Sequence, residues 1–318
     1  MKIGNLEVEL PVFLAPMAGV TDAAFRSLCA EMGAGACVTE MVSAKALYYR
    51  NRGTEKLLRS PMDRGLLGLQ LFGSDPEILT RMALEKQEEY DWIDLNMGCP
   101  MPKIVGNGEG SALLEKPELA AEIIRSMSRT LRIPLTVKMR IGLTRERICG
   151  RDFALMAEEA GAAALFVHGR TRAQLYSGEA DWEEICRIRE ALSIPVIGNG
   201  DIDSAETALR RREESGCQGI MVGRSVRGNP WLFREIKAAW LGKEIPPRPD
   251  RKEMAELLSE HIEREIQEKG EAVGCRELRK HLAWYTAGMP RGASLRAMAA
   301  RIATRQEAEA FVKAFLTH

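Results

Sequence analysis

Short, nearly continuous apolar runs alternate along this chain with longer stretches in which apolar residues recur every three or four positions. Runs of the first kind predict buried strands and stretches of the second amphipathic helices, the alternation of a parallel sheet covered by helices. Eight strand-like runs occur: VFLAPMAG (12–19), ACVTEMVSA (36–44), LLGLQLFG (66–73), WIDLNMGCP (92–100), LTVKMRIG (135–142), AALFVHGR (163–170), PVIGNGDI (195–202) and GIMVGRS (219–225). Helical spacing fills 22–32, 76–89, 117–131, 152–160, 181–191, 203–215 and 230–240, several of them opened by Asp, Ser or Pro at cap or first-turn positions. Eight units of similar length predict an α/β fold, a closed (β/α)8 TIM barrel. A doubly wound open sheet shares the alternation, but no G-x-G-x-x-G follows the first strand.

Two stretches depart from the alternation. Residues 45–64 are polar and irregular, the one connection without a clear helix. Residues 241–250, LGKEIPPRPD, read as a proline-bearing linker, after which the pattern is helical with no strand signal. The expected organisation is a barrel over 1–240, a linker over 241–250 and a small helical bundle over 251–318.

Length and composition agree with this picture. A chain of 318 residues suits one barrel of about 250 residues with an appendage. Hydrophobic content of 45% and charged content of 28% are those of an ordinary globular protein. No apolar run approaches the roughly 20 residues that span a bilayer, and no signal-like N-terminal segment stands out, so no membrane association and a cytoplasmic location are expected. The seven cysteines are scattered without a C-x-x-C pair, which suggests neither a disulfide framework nor a metal site. Lys+Arg and Asp+Glu balance at 45 each, so any polyanion-binding surface must come from local clustering.

A barrel carries its active site at the C-terminal ends of its strands, and almost every run ends in a polar or conformationally special group. In order these are Met17 with Ala18 and Gly19, Glu40, Gln70, Asn96 with Cys99, Lys138 with Arg140, His168 with Arg170, Asn199 with Asp201, and Gly223 with Arg224. Any one of them could be a satisfied rim residue, but convergence from all strands on one mouth points to a site. The N-G-D after the seventh run and G-R-S after the eighth lie where barrels often bind phosphate through backbone N–H groups, with Arg224 adding charge. Lys138 could sit beside a developing anion such as a reduced flavin ring edge, or serve as a Schiff-base amine; chemistry alone does not choose. Gln70 has the donor and acceptor that a pyrimidine-like ring edge needs. Cys99, between Gly98 and Pro100 where an apolar run ends, is either a packing residue or a reagent.

The set LAPMAGVTDAAFR (14–26), QLFGSDPE (70–77), IDLNMGCPMPKIVGNGEGSALL (93–114), VKMRIG (137–142), VHGRTRAQLYSGEADW (167–182), PVIGNGDI (195–202), GIMVGRSVRGNPWLF (219–233) and RELRKHLAWYTAGMP (276–290) resembles the tRNA-dihydrouridine synthases, most of all the bacterial B subfamily. The likeness runs through nearly the whole chain. It implies an FMN enzyme that reduces the C5=C6 bond of particular tRNA uridines, with NADPH as the usual electron source. By the same resemblance Pro16, Met17 and Ala18 correspond to the first FMN-contacting turn, and Gln70, Lys138 and His168 would hold the isoalloxazine and ribityl region. The backbone of Asn199, Gly200, Asp201, Gly223 and Arg224 would hold the phosphate. Asn96 and Cys99 would face the uracil, with the Cys99 thiol as proton donor to C5. The family is generally monomeric.

Substrate recognition then needs cations beyond the mouth. Within 275–305 seven basic residues (Arg276, Arg279, Lys280, Arg291, Arg296, Arg301, Arg305) stand against one acidic, whereas 251–271 holds seven acidic against four basic. Arg276, Arg279 and Lys280 share helical spacing beside Trp284 and Tyr285, as a solvated face or, following the resemblance, a tRNA-binding one. Arg170 and Arg172 from the rim and Lys103 after Cys99 would grip phosphates, Arg140 would join the substrate side, and Tyr176 would touch the base or its sugar. A small enone as substrate, a non-enzymatic RNA-binding barrel, and ribosomal RNA as substrate stay open as alternatives.

Overall fold

The structure is a computed structural model that describes residues 1–290 and 292–317; Arg291, one of the seven basic residues above, lies outside the described residues. Eight parallel strands close on themselves: β1 (Val12–Leu14), β2 (Ala36–Val38), β3 (Leu66–Phe72), β4 (Trp92–Met97), β5 (Leu135–Thr144), β6 (Ala164–Thr171), β7 (Val196–Asn199) and β8 (Gly219–Val222). Pairing runs in chain order and β8 returns to β1, with Ile220 opposite Val12 and Val222 opposite Leu14. This is the α/β barrel that eight alternating runs predict. Six of the eight runs end later than their strands because the tail, such as A-P-M-A-G after Leu14, leaves the sheet to form the mouth; β5 and β6 instead continue past their runs, to Thr144 and Thr171.

The barrel interior is packed by Phe13, Trp92, Phe166, Ile197 and Met221. Phe13 meets Trp92 and Phe166 edge-on at centroid distances of 6.2 and 5.0 Å. Trp92 fits because β3 offers Gly68 beside it: a Cβ there would lie 2.2 Å from the indole. A short antiparallel hairpin, Lys2–Ile3 with Leu6–Glu7, adds Ile3 and Val8 to this interior core. Two-residue strands leave no periodic signal, so the hairpin was not foreseeable from spacing.

The helices form where expected, and their starts are capped by the residues the sequence offers. Asp22, Asp75, Asp181 and Ser204 each accept a hydrogen bond from a first-turn N–H of the helix they precede. The irregular stretch 45–64 contains two short helices, Ala44–Tyr48 and Arg52–Glu55, too brief for periodicity to reveal. Beyond 250, helices Arg251–Lys269, Glu271–Tyr285, Gly292–Ala299 and Arg305–Thr317 gather around a separate core that includes Leu258, Leu278, Leu282, Phe311 and Phe315. That core also takes in Leu28 and Trp231 from the barrel's helical shell, so the helical unit is docked against the barrel beside β1 and β8. Gly228 makes close approach possible: its φ is +70°, and a Cβ would lie 2.4 Å from the Trp284 backbone. Among the described residues, no helix is long and apolar enough to cross a membrane.

Candidate active site

The strand ends open into a cavity of about 1300 Å³. Pro16, Met17, Ala18, Gln70, Asn96, Cys99, Lys138, Arg140, His168, Arg170, Tyr176, Asn199, Gly200, Asp201, Gly223 and Arg224 all line it. The convergence predicted from the sequence is therefore present in space. Cys99 is half-buried, and its loop is folded tightly: Asn96 Oδ1 accepts from the N–H groups of Gly98 (3.2 Å) and Cys99 (2.9 Å), and Ser111 Oγ donates to the Cys99 carbonyl (2.9 Å). Burial pushes the Cys99 thiol above its ordinary value, with Arg140 and Lys138 opposing. The group is thus a protonated acid at neutral pH and not an activated thiolate.

Asn96 does more than face the cavity. Its Nδ2 donates to Gln70 Oε1 (2.8 Å), Gln70 Nε2 donates to Asp94 Oδ2 (2.7 Å), and Thr136 Oγ1 donates to Asp94 Oδ1 (2.6 Å). Each amide therefore uses one N–H and its oxygen in this network and keeps its second N–H. Asp94 has no surface exposure, and burial raises its carboxyl to about 7, against the hydrogen bonds from Gln70 and Thr136. Strand-end reasoning missed Asp94; the available signal was an acid inside the apolar run W-I-D-L-N-M.

On the facing strands Lys138 Nζ donates to Asn199 Oδ1 (3.2 Å), whose own Nδ2 donates to the Met221 carbonyl (2.8 Å). Burial, helped by Arg140, lowers Lys138 to about 8. Burial and the cations Lys138, Arg140, Arg170 and Arg224 hold His168 well below its ordinary value, so its ring is neutral. At the β7 and β8 ends, Asp201 bridges two arginines, Arg170 at 2.8 Å and Arg224 at 2.9 Å. Its φ of +50° turns the carboxylate into that position, a conformation Asp tolerates better than most residues. Gly200, with φ of +137°, leaves no room for a side chain beside Ala180.

Several residues expected to grip substrate occupy other roles. Arg170 does not project from the rim. It is 2% exposed and donates to the carbonyls of Ser177 and Gly178 as well as to Asp201, so it braces the 176–178 turn. Arg140 is also buried, donating to the Gly98, Thr171 and Leu175 carbonyls at 2.8–2.9 Å. Arg172 is paired with Glu115 at 2.6 Å. Tyr176 is 53% exposed over the mouth, with the guanidinium of Arg224 4.8 Å and that of Arg140 5.8 Å from its ring centre. Lys103 is exposed. The helical trio divides: Arg276 is exposed, Arg279 donates to the Ile302 carbonyl (2.7 Å), and Lys280 turns to the barrel, its Nζ 3.9 Å from where a Gly19 Cβ would stand. Arg210 and Arg211, not singled out from the sequence, also line the cavity.

A family model described as dihydrouridine synthase matches residues 13–318. The chain belongs to the dihydrouridine synthase family. It is 40% identical over 320 residues to a probable tRNA-dihydrouridine synthase of Mycobacterium tuberculosis, covering 96% of this chain and 82% of that one. It is 40% identical over 303 residues to tRNA-dihydrouridine synthase B of Pseudomonas aeruginosa, covering 95% and 91%. Among solved structures, morphinone reductase superposes with a TM-score of 0.52 at 13% identity, covering 80% of this chain and 91% of that chain. A histamine dehydrogenase from Rhizobium superposes with a TM-score of 0.60 at 14% identity, covering 83% and 50%. These two share the barrel fold with the family member described here.

Proposed function

We propose that this chain reduces the C5=C6 bond of D-loop uridines in tRNA to 5,6-dihydrouridine, with FMN as cofactor and NADPH as reductant. The observation that carries the reading is the Cys99 thiol in the same cavity as Lys138 and the arginine-flanked turns of β7 and β8. The curated relatives bear the matching name.

The residues present fit a flavin mononucleotide. Arg170 Nη1 is buried and has no hydrogen-bond partner among the described residues. A Cβ at Gly223 would meet the protein no closer than 3.7 Å, so the space beside that backbone is a cradle that a side chain would fill. Arg224 and the backbone of Asn199, Gly200, Asp201 and Gly223 would hold the phosphate. Lys138 donates to Asn199 and keeps further N–H groups for an anionic ring edge, with Gln70 and His168 beside it in the cavity lining. A reduced flavin supplies hydride for C6 of the uracil when bound.

The chain's own residues do the rest. Asn96 fixes the Cys99 loop, and the Cys99 thiol delivers the proton that C5 requires. Tyr176, exposed at the mouth, is placed to touch the incoming nucleotide. A uridine reaches Cys99 only when unpaired or extruded from the stack.

Incubating the purified protein with FMN, NADPH and tRNA that lacks the modification, followed by position-mapped nucleoside mass spectrometry, tests the reading. Two added hydrogens at defined D-loop uridines are expected. NADPH consumption with unchanged tRNA would remove tRNA from the proposal and leave ribosomal RNA or a small enone as substrate. Cys99→Ala should keep NADPH oxidation and lose dihydrouridine formation by about 10²–10⁴-fold.

A further inference from the structure

The irregular stretch after β2 carries chemistry that the cavity does not use. We infer that residues 45–56 form an RNA-contact surface that takes the sugar–phosphate backbone and one unstacked base of the substrate; this rests on the tRNA reading above.

Its placement connects the mouth to the helical unit. Met41 lines the cavity, and Val42–Ser43 pairs with Leu71–Phe72 just past Gln70, so the stretch leaves the barrel at the mouth. Lys45 acts electrostatically on Glu109, whose neighbour Gly110 packs so closely that a Cβ would lie 2.9 Å from the Cys99 carbonyl oxygen. At the far end Ser60 Oγ donates to Glu268 Oε2 at 2.7 Å on the helix Arg251–Lys269. A strand of RNA held by the helical unit would cross this surface to reach Cys99.

Its charge is unspent. Lys45, Arg50, Arg52 and Lys56 are exposed against one acid, Glu55, and none of the four forms an ion pair with a described carboxylate. The contrast is with Arg140, Arg170 and Arg172 at the mouth, which are all committed to protein partners. In a chain of zero formal net charge, four cations against one acid within twelve positions make a local attraction for phosphate.

Tyr49 supplies the second element of recognition. It is 68% exposed, and it is braced edge-on by Tyr48 at 5.2 Å, whose ring lies under Arg81 at 5.1 Å. An exposed aromatic ring among cations is the arrangement on which single-stranded RNA bases stack. Arg50 adds a third sign: its φ is +52°, at the helix end where glycine or asparagine closes the turn at least cost. The turn puts a cation where glycine would serve the backbone better, which assigns the position to the surface and not to the fold.

Binding of the full-length protein to an unmodified tRNA transcript, followed by fluorescence anisotropy from about 50 to 200 mM salt, tests the surface. The triple variant Arg50→Gln, Arg52→Gln, Lys56→Gln should bind about tenfold more weakly at low salt. Its plot of log affinity against log salt should be shallower by about two. Tyr49→Ala should bind roughly tenfold more weakly with an unchanged slope. Both should keep the parent's NADPH oxidation, which shows that they fold. Parent-like affinity and slope in both variants overturn the surface while leaving the tRNA reading intact; a parent protein that does not bind tRNA overturns both. Ultraviolet crosslinking of the parent to tRNA gives an independent reading. Adducts within 45–56 support the proposal, and adducts confined to the helical unit overturn it.

Discussion

Asp94 holds the Gln70 amide in one orientation: its Oδ2 accepts from Gln70 Nε2 at 2.7 Å while Asn96 donates to Gln70 Oε1 at 2.8 Å. The relay continues from Asn96 Oδ1 to the Cys99 N–H. An acid buried in β4 is thereby linked, through two amides, to the loop that carries the thiol, so Asp94 is a positioning residue for a site it does not touch.

That position makes stability pH-dependent in a defined direction. Burial raises Asp94 to about 7, above the roughly 3.9 of an unfolded aspartate. Between those values the folded state binds more protons than the unfolded one, so this group's contribution is most favourable below about pH 4 and is lost as pH rises through 7. Asp94→Asn keeps the shape and cannot ionise. Its melting temperature relative to the parent should therefore rise between pH 5 and pH 8, and thermal melts at the two values measure this. A constant difference would mean that Asp94 is not titrating in the fold.

The proton donation proposed for Cys99 sets a second pH dependence. Because burial raises the thiol, the acid form persists through neutrality. Dihydrouridine formation from pre-reduced enzyme should be level from about pH 6 to 8 and fall only at or beyond the ordinary thiol value of about 8.5. The alkaline fall should vanish from the residual activity of Cys99→Ala. A single-turnover pH profile with tRNA decides it, and a fall centred near pH 6 would point to a different acid.

Lys138 offers a test of the cofactor reading that needs no RNA. In the proposed complex its ammonium meets an anionic ring edge, and a charge-assisted hydrogen bond contributes about 1.5–3 kcal/mol. Lys138→Met should weaken FMN retention by roughly ten- to a hundredfold. Retention in the parent should also decline above about pH 8 as Lys138 is neutralised. Flavin fluorescence during dilution reports both. Equal retention in parent and variant would place Lys138 away from the cofactor.

How far such roles could be foreseen depends on what encodes them. The barrel was legible because each strand is a run of apolar residues buried on both faces, a signal that needs no knowledge of partners. The cavity positions of Cys99 and Asn199 were legible because they stand where those runs stop, and that of Lys138 because it is a charge inside an apolar run. Arg170 was read as projecting from the rim and Arg140 as joining the substrate side, since spacing along β5 and β6 places them at the mouth but says nothing of the carbonyls of residues 171, 175, 177 and 178 that capture them. Asp94 and the 45–56 surface were missed for opposite reasons. One is a lone acid within a strand, and the other consists of helices of five and four residues, too short to show a period.

The seam between barrel and helical unit carries one ammonium group shared by three carboxylates, and its contribution too can be tested. Lys269 Nζ donates to Asp22 Oδ2 at 2.7 Å and to Glu265 Oε1 and Glu277 Oε2 at 2.6 Å each, occupying the centre of three carboxylates whose ligand atoms lie within 4.8 Å of one another. Burial would push Asp22 up, but Lys269 beside it wins and holds that carboxyl below its ordinary range. Burial and the Asp22 charge raise Glu265 to about 8. Lys269→Met removes the cation bonded to all three, and stranding buried carboxylates costs on the order of 3–5 kcal/mol. Without the ammonium, Asp22 joins Glu265 in having a folded pKa above its unfolded one, so the variant's deficit should be small near pH 5 and grow as pH rises toward 8. Urea unfolding at both values measures the deficit. If it is the same at both, the loss comes from the packing of the Lys269 stem and not from the charge it neutralises.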